Sequence, residues 1–317
     1  MKFVPDFKAA KGKPATTGAT AKPAAKSAPK SVPAKKAAPT PARGFAALKT
    51  KALATPVPVT LKPGKIIELK PLTKPVTSWS FSRYQDYQTC PLKFRLKHIE
   101  KVPEPKNDAM QRGIDAHDDA EKWTKGTIPK MPLSLAAMKD EFARLRKLYK
   151  GKKLPMIVED NWAFTKDWDE TQWNNWAECW VRIKLDCAHY EELDGQMVMI
   201  VTDWKTGKAN SYKVAEYMEQ LDLYALAALL MSAVEDVVVR PRLGWLDDGT
   251  FYPNVDKGEE QVEYTRADLP RLIKEWGKRV KPMMSAKNFP PKANSKCQWC
   301  FYGQAGRAKG GPGHCKF

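Results

Sequence analysis

Asp203 and Lys205, in the stretch IVTDWKTGK from Ile200 to Lys208, are the two side chains whose types and spacing first suggest chemistry. Met197, Val198, Met199, Ile200 and Val201 form a short apolar run before them, too short for a helix of its own and readable as a buried strand. The run stops at Asp203-Trp204-Lys205, and Thr206-Gly207 turn the chain. Residues two apart on a strand face the same way, so a carboxylate and an ammonium project together from the strand end. Metal-dependent phosphodiester hydrolysis can use such a pair: the carboxylate holds a divalent cation and the lysine positions the attacking water. D-x-K is a short pattern that also describes a surface strand ending in two solvated charges. Its meaning rests on the partners that the rest of the chain supplies.

Candidate partners occur on both sides. Upstream, WVRIKLDCAH alternates: Val181, Ile183, Leu185 and Cys187 fall on one face, and Arg182, Lys184 and Asp186 on the other. This is a half-buried strand that delivers an acid beside two bases, and it leads into the Asp203 strand through a turn around 191–195. Residues 107–124 read as a helix on which Gly113 and His117 share a face. Glycine there costs about 1 kcal/mol relative to alanine, which close approach of another backbone or a ligand would justify. Downstream, 213–231 reads as an amphipathic helix with Gln220 and Tyr224 one turn apart, and a glutamine on an apolar face needs a partner. The tail offers Cys297 and Cys300 at chelating spacing, then Cys315 behind Gly310, Gly311 and Gly313. His314 or Cys90 could complete such a site. Four thiolates suit an iron–sulfur cluster, whereas three thiolates and an imidazole suit zinc.

The elements that must position these residues follow from the same reading. Ser80 caps a short helix that Pro91 breaks or restarts, with Phe94, Leu96 and Ile99 facing the core. A second helix spans 134–150 with Ser134 as N-cap and Leu135, Met138, Phe142, Leu145 and Tyr149 in one stripe. The segment 156–190 holds Trp162, Trp168, Trp173, Trp176 and Trp180; most serve sheet packing, although stacking on exposed bases is open to any of them. Val237–Arg240 reads as a buried strand, Asp248-Gly249 as a hairpin turn, and Thr265 with Asp268 as a capping box opening a helix to about Val280. The expected fold is α/β, a central mixed sheet flanked by helices. A short strand is expected near Leu61–Leu72.

Composition bounds the partners. The chain of 317 residues carries a net charge of +18. Residues 1–75 hold 15 lysines and Arg43 against Asp6 and Glu68, so +14 of that charge lies there. The stretch 1–60 is rich in Lys, Ala and Pro, lacks the apolar content to offset the entropy of ordering, and is expected to be a disordered arm. A basic arm suits a polyanion, nucleic acid above all, and would equally serve as a solubilising tail. No apolar core follows the first lysines, so no secretory signal is read, and the apolar stretch 223–234 is too short to span a membrane. Six cysteines, clustered in part, point to metal binding or redox chemistry in a reducing compartment, and a cytoplasmic location is expected.

Taken in order, Cys90, the GxxxH ending at His117, Asp186, DWK at 203–205, QxxxY from Gln220 to Tyr224, and Cys297, Cys300 and Cys315 resemble the PD-(D/E)XK nucleases of the RecB type. More narrowly, the set resembles the iron–sulfur branch that includes CRISPR-associated and AddB-like exonucleases, over residues 78–317. The resemblance implies a restriction-endonuclease-like core. In it His117, Asp186 and Asp203, helped by the Trp204 carbonyl, bind Mg²⁺ or Mn²⁺. Lys205 orients or deprotonates water and stabilises developing charge, and Gln220 and Tyr224 support the site and contact DNA. Cys90, Cys297, Cys300 and Cys315 hold a [4Fe–4S] cluster, with residues 297–317 as its cluster-binding tail. It further implies an exonuclease of DNA replication, recombination or repair, phage-encoded, working in the host cytoplasm beside recombination or replication proteins. Two features depart from the family pattern: the long gap from Cys300 to Cys315, and Asp186 set in LDC. A non-catalytic DNA-binding protein on the same fold, with a structural zinc or iron–sulfur site, is the alternative; the complete set His117, Asp186, Asp203 and Lys205 favours the enzyme.

Overall fold

The computed structural model describes residues 68–317. The expected basic arm at 1–60 and residues 61–67 of the expected first strand lie outside the described residues, and residues 68–72 form no strand. Helix α1 (Phe81–Thr89) opens on Ser80, whose hydroxyl accepts from the Arg83 amide at 3.4 Å. Cys90 is extended at φ −161°, and Pro91 then starts the short helix α2 (Pro91–Phe94), which widens into a π-turn over Arg95–Ile99. Proline at a first helical position gives up an amide that has no partner there anyway. Helix α3 (Asp108–Lys125) is capped by Asn107 and ends on Gly126 in the left-handed region. Helix α4 (Lys139–Gly151) begins later than expected. A 3₁₀ turn over Leu133–Met138 precedes it, and Ser134 donates to Asp119 at 2.6 Å instead of capping the helix.

The sheet follows: β1 (Met156–Phe164), β2 (Glu170–Thr171), β3 (Val181–Leu193), β4 (Gln196–Lys205), β5 (Val238–Trp245) and β6 (Thr250–Tyr252), in spatial order β2-β1-β3-β4-β5-β6. β3 and β4 are joined by Asp194-Gly195, both at positive φ (51° and 77°), the two-residue turn whose twist matches the strands it joins. Only β4 and β5 are parallel, and the crossover between them is helix α5 (Ser211–Met231). Helix α6 (Leu269–Ser285) closes the domain behind the expected Thr265–Asp268 capping box. The sheet is therefore mixed and flanked by helices, as the sequence implied.

Two cores lie on opposite faces of the sheet. Ala188 pairs with Val201, and both belong to the larger core with Leu223–Leu229 of α5 and Trp276 of α6. The neighbours Cys187 and Trp204 belong to a second core with Ala116, Ala120, Phe142 and Leu145 of α3 and α4. Consecutive strand residues point oppositely, which fixes the two faces. The second half of α5 is buried all round rather than amphipathic, because sheet, α6 and loops enclose it. Trp204 lies across Gly244 of the adjacent strand, where a β-carbon would come within 2.4 Å of the ring. A third, smaller core joins the two ends of the described chain: Leu92 and Leu96 pack with Phe301 and Tyr302.

Candidate active site

Two strands and two helices bring the predicted residues together. The β3–β4 register pairs Cys187 with Thr202, so Asp186 and Asp203 are neighbours on one face. The Trp204 amide donates to Asp186 Oδ2 at 2.8 Å. Asp203 is 2 % exposed, and Lys205 Nζ is ion-paired with its Oδ2. From α5, Gln220 Oε1 accepts from Lys205 Nζ at 3.0 Å, while Gln220 Nε2 donates to the Tyr224 hydroxyl at 2.7 Å. That hydroxyl lies 2.9 Å from the Lys184 carbonyl and 3.2 Å from Asp203 Oδ1, to either of which its one proton can be given. The helical spacing i, i+4 is what lets Gln220 and Tyr224 reach the same carboxylate. The buried glutamine thus finds the partners its environment demands.

His117 arrives from α3. Its Nδ1 lies 3.3 Å from Asp186 Oδ1 and 3.3 Å from Glu159 Oε1. Glu159 was not anticipated. The β1–β3 register pairs Val158 with Cys187 and Asp160 with Leu185, which sets Glu159 opposite Asp186. Its backbone is at φ +50°, a left-handed conformation that glutamate seldom adopts. Its other oxygen takes Lys184 Nζ at 2.7 Å. The one sequence signal was an acid directly after Val158, which ordinary strand alternation sends to the face opposite that valine. Gly113, by contrast, has no protein atom crowding it: a β-carbon would meet Thr206 Oγ1 at 3.8 Å, so packing does not demand the glycine.

The electrostatics are those of a cation site. Ligand atoms of His117, Glu159 and Asp186 lie within 4.8 Å of one another. Burial opposes a charge on His117, but Asp186 and Glu159 outweigh it and lift its pKa to about 10. Burial likewise opposes ionisation of Asp186, yet His117, Lys205 and the Trp204 amide hold it below the usual carboxylate range. Burial pushes Asp203 up to about 6, against the pull of Lys205. Asp203 Oδ2 is buried against the Lys205 ammonium, and a carboxylate oxygen in one such contact keeps a second lone pair for a metal. An imidazole nitrogen with carboxylate oxygens fits Mn²⁺ or Mg²⁺. Burial works against charge on Lys205 too, but Asp203 more than restores it, so the ammonium stays protonated. His117, Asp186, Asp203, Lys205, Gln220 and Tyr224 all line one cavity of about 730 Å³.

The cysteines gather elsewhere. Cys90, Cys297, Cys300 and Cys315 line a separate cavity of about 420 Å³; His314 is not among the residues lining it. The Lys292 amide donates to Cys90 Sγ and the Asn294 amide to Cys297 Sγ, each at 3.4 Å. Among the described residues no three of these thiols converge within 4.8 Å. Thiolates on one zinc at about 2.3 Å would sit roughly 3.8 Å apart. Cys179, in the turn before β3, and Cys187, on β3, are buried and do not line this cavity.

Residues 78–305 match the PD-(D/E)XK nuclease superfamily, and the chain belongs to that family. The class this defines is a nuclease, metal-dependent, with DNA as the substrate the fold implies. No curated protein matches the chain closely. Among the described residues no helix is long and apolar enough to cross a membrane.

Proposed function

We propose that this protein is a Mg²⁺- or Mn²⁺-dependent exodeoxyribonuclease of the RecB-like iron–sulfur branch, acting in DNA replication, recombination or repair. The observation that carries the reading is the meeting of His117, Asp186, Asp203 and Lys205 in one cavity. Each comes from a different part of the chain, apart from the DWK pair. His117, Asp186 and Asp203 would hold the cation, with Glu159 beside them and the Trp204 carbonyl as a further donor. When bound, the cation supplies Lewis-acid polarisation of the phosphoryl group and a more acidic water. Lys205, charged and held by Gln220 and Asp203, donates from Nζ to the attacking water or to the phosphoryl oxygen on which charge grows. Gln220 and Tyr224 fix the Asp203 carboxylate in one orientation, so little reorganisation is needed as that charge develops.

Cys90, Cys297, Cys300 and Cys315 would hold a [4Fe–4S] cluster. Their shared cavity, lined by four cysteines and not by His314, supports the cluster over a zinc held by three thiolates and an imidazole. Backbone amides aimed at sulfur suit thiolates in either case. Protein purified without oxygen should be brown and carry iron and sulfide; stoichiometric zinc without iron would overturn the cluster. For the activity, end-labelled linear and closed circular DNA are incubated with Mg²⁺ or Mn²⁺. Linear DNA should be digested from an end and closed circles spared. Cleavage of circles would overturn the exonuclease reading, and no metal-dependent cleavage of any DNA would overturn the nuclease.

A further inference from the structure

Trp176 is 71 % exposed, although it borders the catalytic cavity. An indole left in water this way forgoes a large apolar gain. It is not mobile by construction: the turn that carries it is tied by Asn175 Nδ2 to Thr171 at 3.3 Å and Glu178 at 2.7 Å, and by the Cys179 amide to the Asn175 carbonyl at 2.8 Å. The Arg182 guanidinium lies over the ring, 3.7 Å from its centroid, and covers one face. Arg182 is itself fixed, donating from Nε to the Trp173 carbonyl at 3.1 Å, with Nη2 buried and without a hydrogen-bond partner.

Two further cations line the same cavity, Arg83 and Lys101. Arg83 spends its hydrogen bonds on Ser78 and on the His98 carbonyl. Among the described residues neither these two nor Arg182 is paired with a carboxylate, whereas Lys184 and Lys205, which line the same cavity, both are. Burial and Arg182 together lower the pKa of Arg83, so the guanidiniums are close enough to repel. Three cations left unpaired by the carboxylates of their own cavity suit an anion from outside.

We propose that Trp176 and Arg182, with Arg83 and Lys101, form a subsite for one unpaired nucleotide in the catalytic cavity, set back from the scissile phosphate: the open face of the indole takes the base, and the cations take a phosphate. This rests on the nuclease reading and adds to it the state of the strand. Arg182 and Asp186 share a face of β3 four residues apart, so the subsite lies roughly 13 Å along the strand from the catalytic acid. A base inside a duplex has both faces covered by its neighbours and offers nothing for the indole to stack on; an unpaired base does. A Trp–Arg pair is also a common anchor for a protein partner. The unpaired cations inside the catalytic cavity favour the nucleotide.

The test uses the full chain carrying Asp203→Ala, so that DNA is bound and not cut. Affinity is measured for a short single strand, for a blunt duplex, and for single strands with one abasic site stepped inward from the end. Adding Trp176→Ala should weaken single-strand binding about tenfold and duplex binding by less than about twofold, with Trp176→Phe in between. One abasic position should reproduce the loss, and at that position Trp176→Ala should add nothing further. Arg182→Ala should act in the same direction, and melting curves check that both variants fold. Equal single-strand binding with and without Trp176 would overturn the subsite and leave a protein-binding anchor, as would equal losses on both DNAs. A parent that binds neither DNA would overturn the nuclease reading itself.

Discussion

Lys205 sits where two effects oppose each other. Burial would strip its charge, and the adjacent Asp203 restores it. The charged amine is therefore available as a donor, and its loss should be felt in the transition state. Lys205→Ala and Asp203→Ala should each lower cleavage at least about 10²–10³-fold, the range for losing one electrostatic stabiliser, while DNA binding largely survives. Wild-type rates in either variant would remove the pair from the active site. Glu159 calls for a different measurement. If it positions His117 toward the cation, Glu159→Gln should raise the Mn²⁺ concentration for half-maximal cleavage by about 10–100-fold. An unchanged Mn²⁺ requirement would reduce Glu159 to a counter-ion for Lys184. At this scale the sequence was readable wherever the regular period of an element carried the residue. Strand alternation placed Asp203 with Lys205, and helical spacing placed Gln220 with Tyr224. Glu159 escaped because a positive φ interrupts its strand just where it enters the site, and no pattern of residue types announces that.

Elements show the same division. Strands β3 and β4, α3, α5 and the Thr265 capping box were legible because each advertises either its period or its ends, whereas β1 passed as a tryptophan-rich segment. Helix α4 was not: its expected cap, Ser134, bonds to Asp119 on α3, a contact that only the packed helices create. The all-round burial of α5 also depends on what surrounds it and cannot be read from its own residues. The outer end of β3 carries a testable charge. Glu191 accepts from His189 at 3.0 Å, chiefly through which its pKa falls to about 2; burial opposes this, and Arg144 adds to it. A carboxyl depressed in the folded state contributes stability above its unfolded value, here 4.5, and loses it as pH falls toward 2. Wild type should thus melt above Glu191→Gln at pH 6, with the gap closing between about pH 4.5 and 2. A gap that persists unchanged at pH 2 would mean that the glutamate acts by packing alone.

For the whole molecule, the charge is unevenly shared: most of it precedes the nuclease domain. Deleting residues 1–60 should leave a folded nuclease whose DNA binding is weaker and less steeply dependent on salt, because fewer counterions are released. An unchanged salt slope would make the arm a tail and nothing more. The thiol cavity also concerns the whole chain, since it joins α1 and α2 to the last residues described. Cys90→Ser should lose bound iron and several degrees of melting temperature together; loss of one without the other would separate the cluster from the closure.

That closure has a direction in time. Leu92 and Leu96 have their apolar partners in Phe301 and Tyr302, and Cys90 meets the Lys292 amide from 202 residues away. A ribosome adding roughly 5–20 residues per second needs about 10–40 s to supply that distance. Throughout that interval the first helices wait with an apolar flank and a thiol uncovered. The late arrivals must then fit tightly, since β-carbons on Gly306 and Gly311 would come within 1.9 and 2.0 Å of the Phe301 carbonyl. The nascent protein is accordingly most vulnerable at its beginning, and a chaperone or an oxidant would find it there long before the catalytic strands have anything to lose.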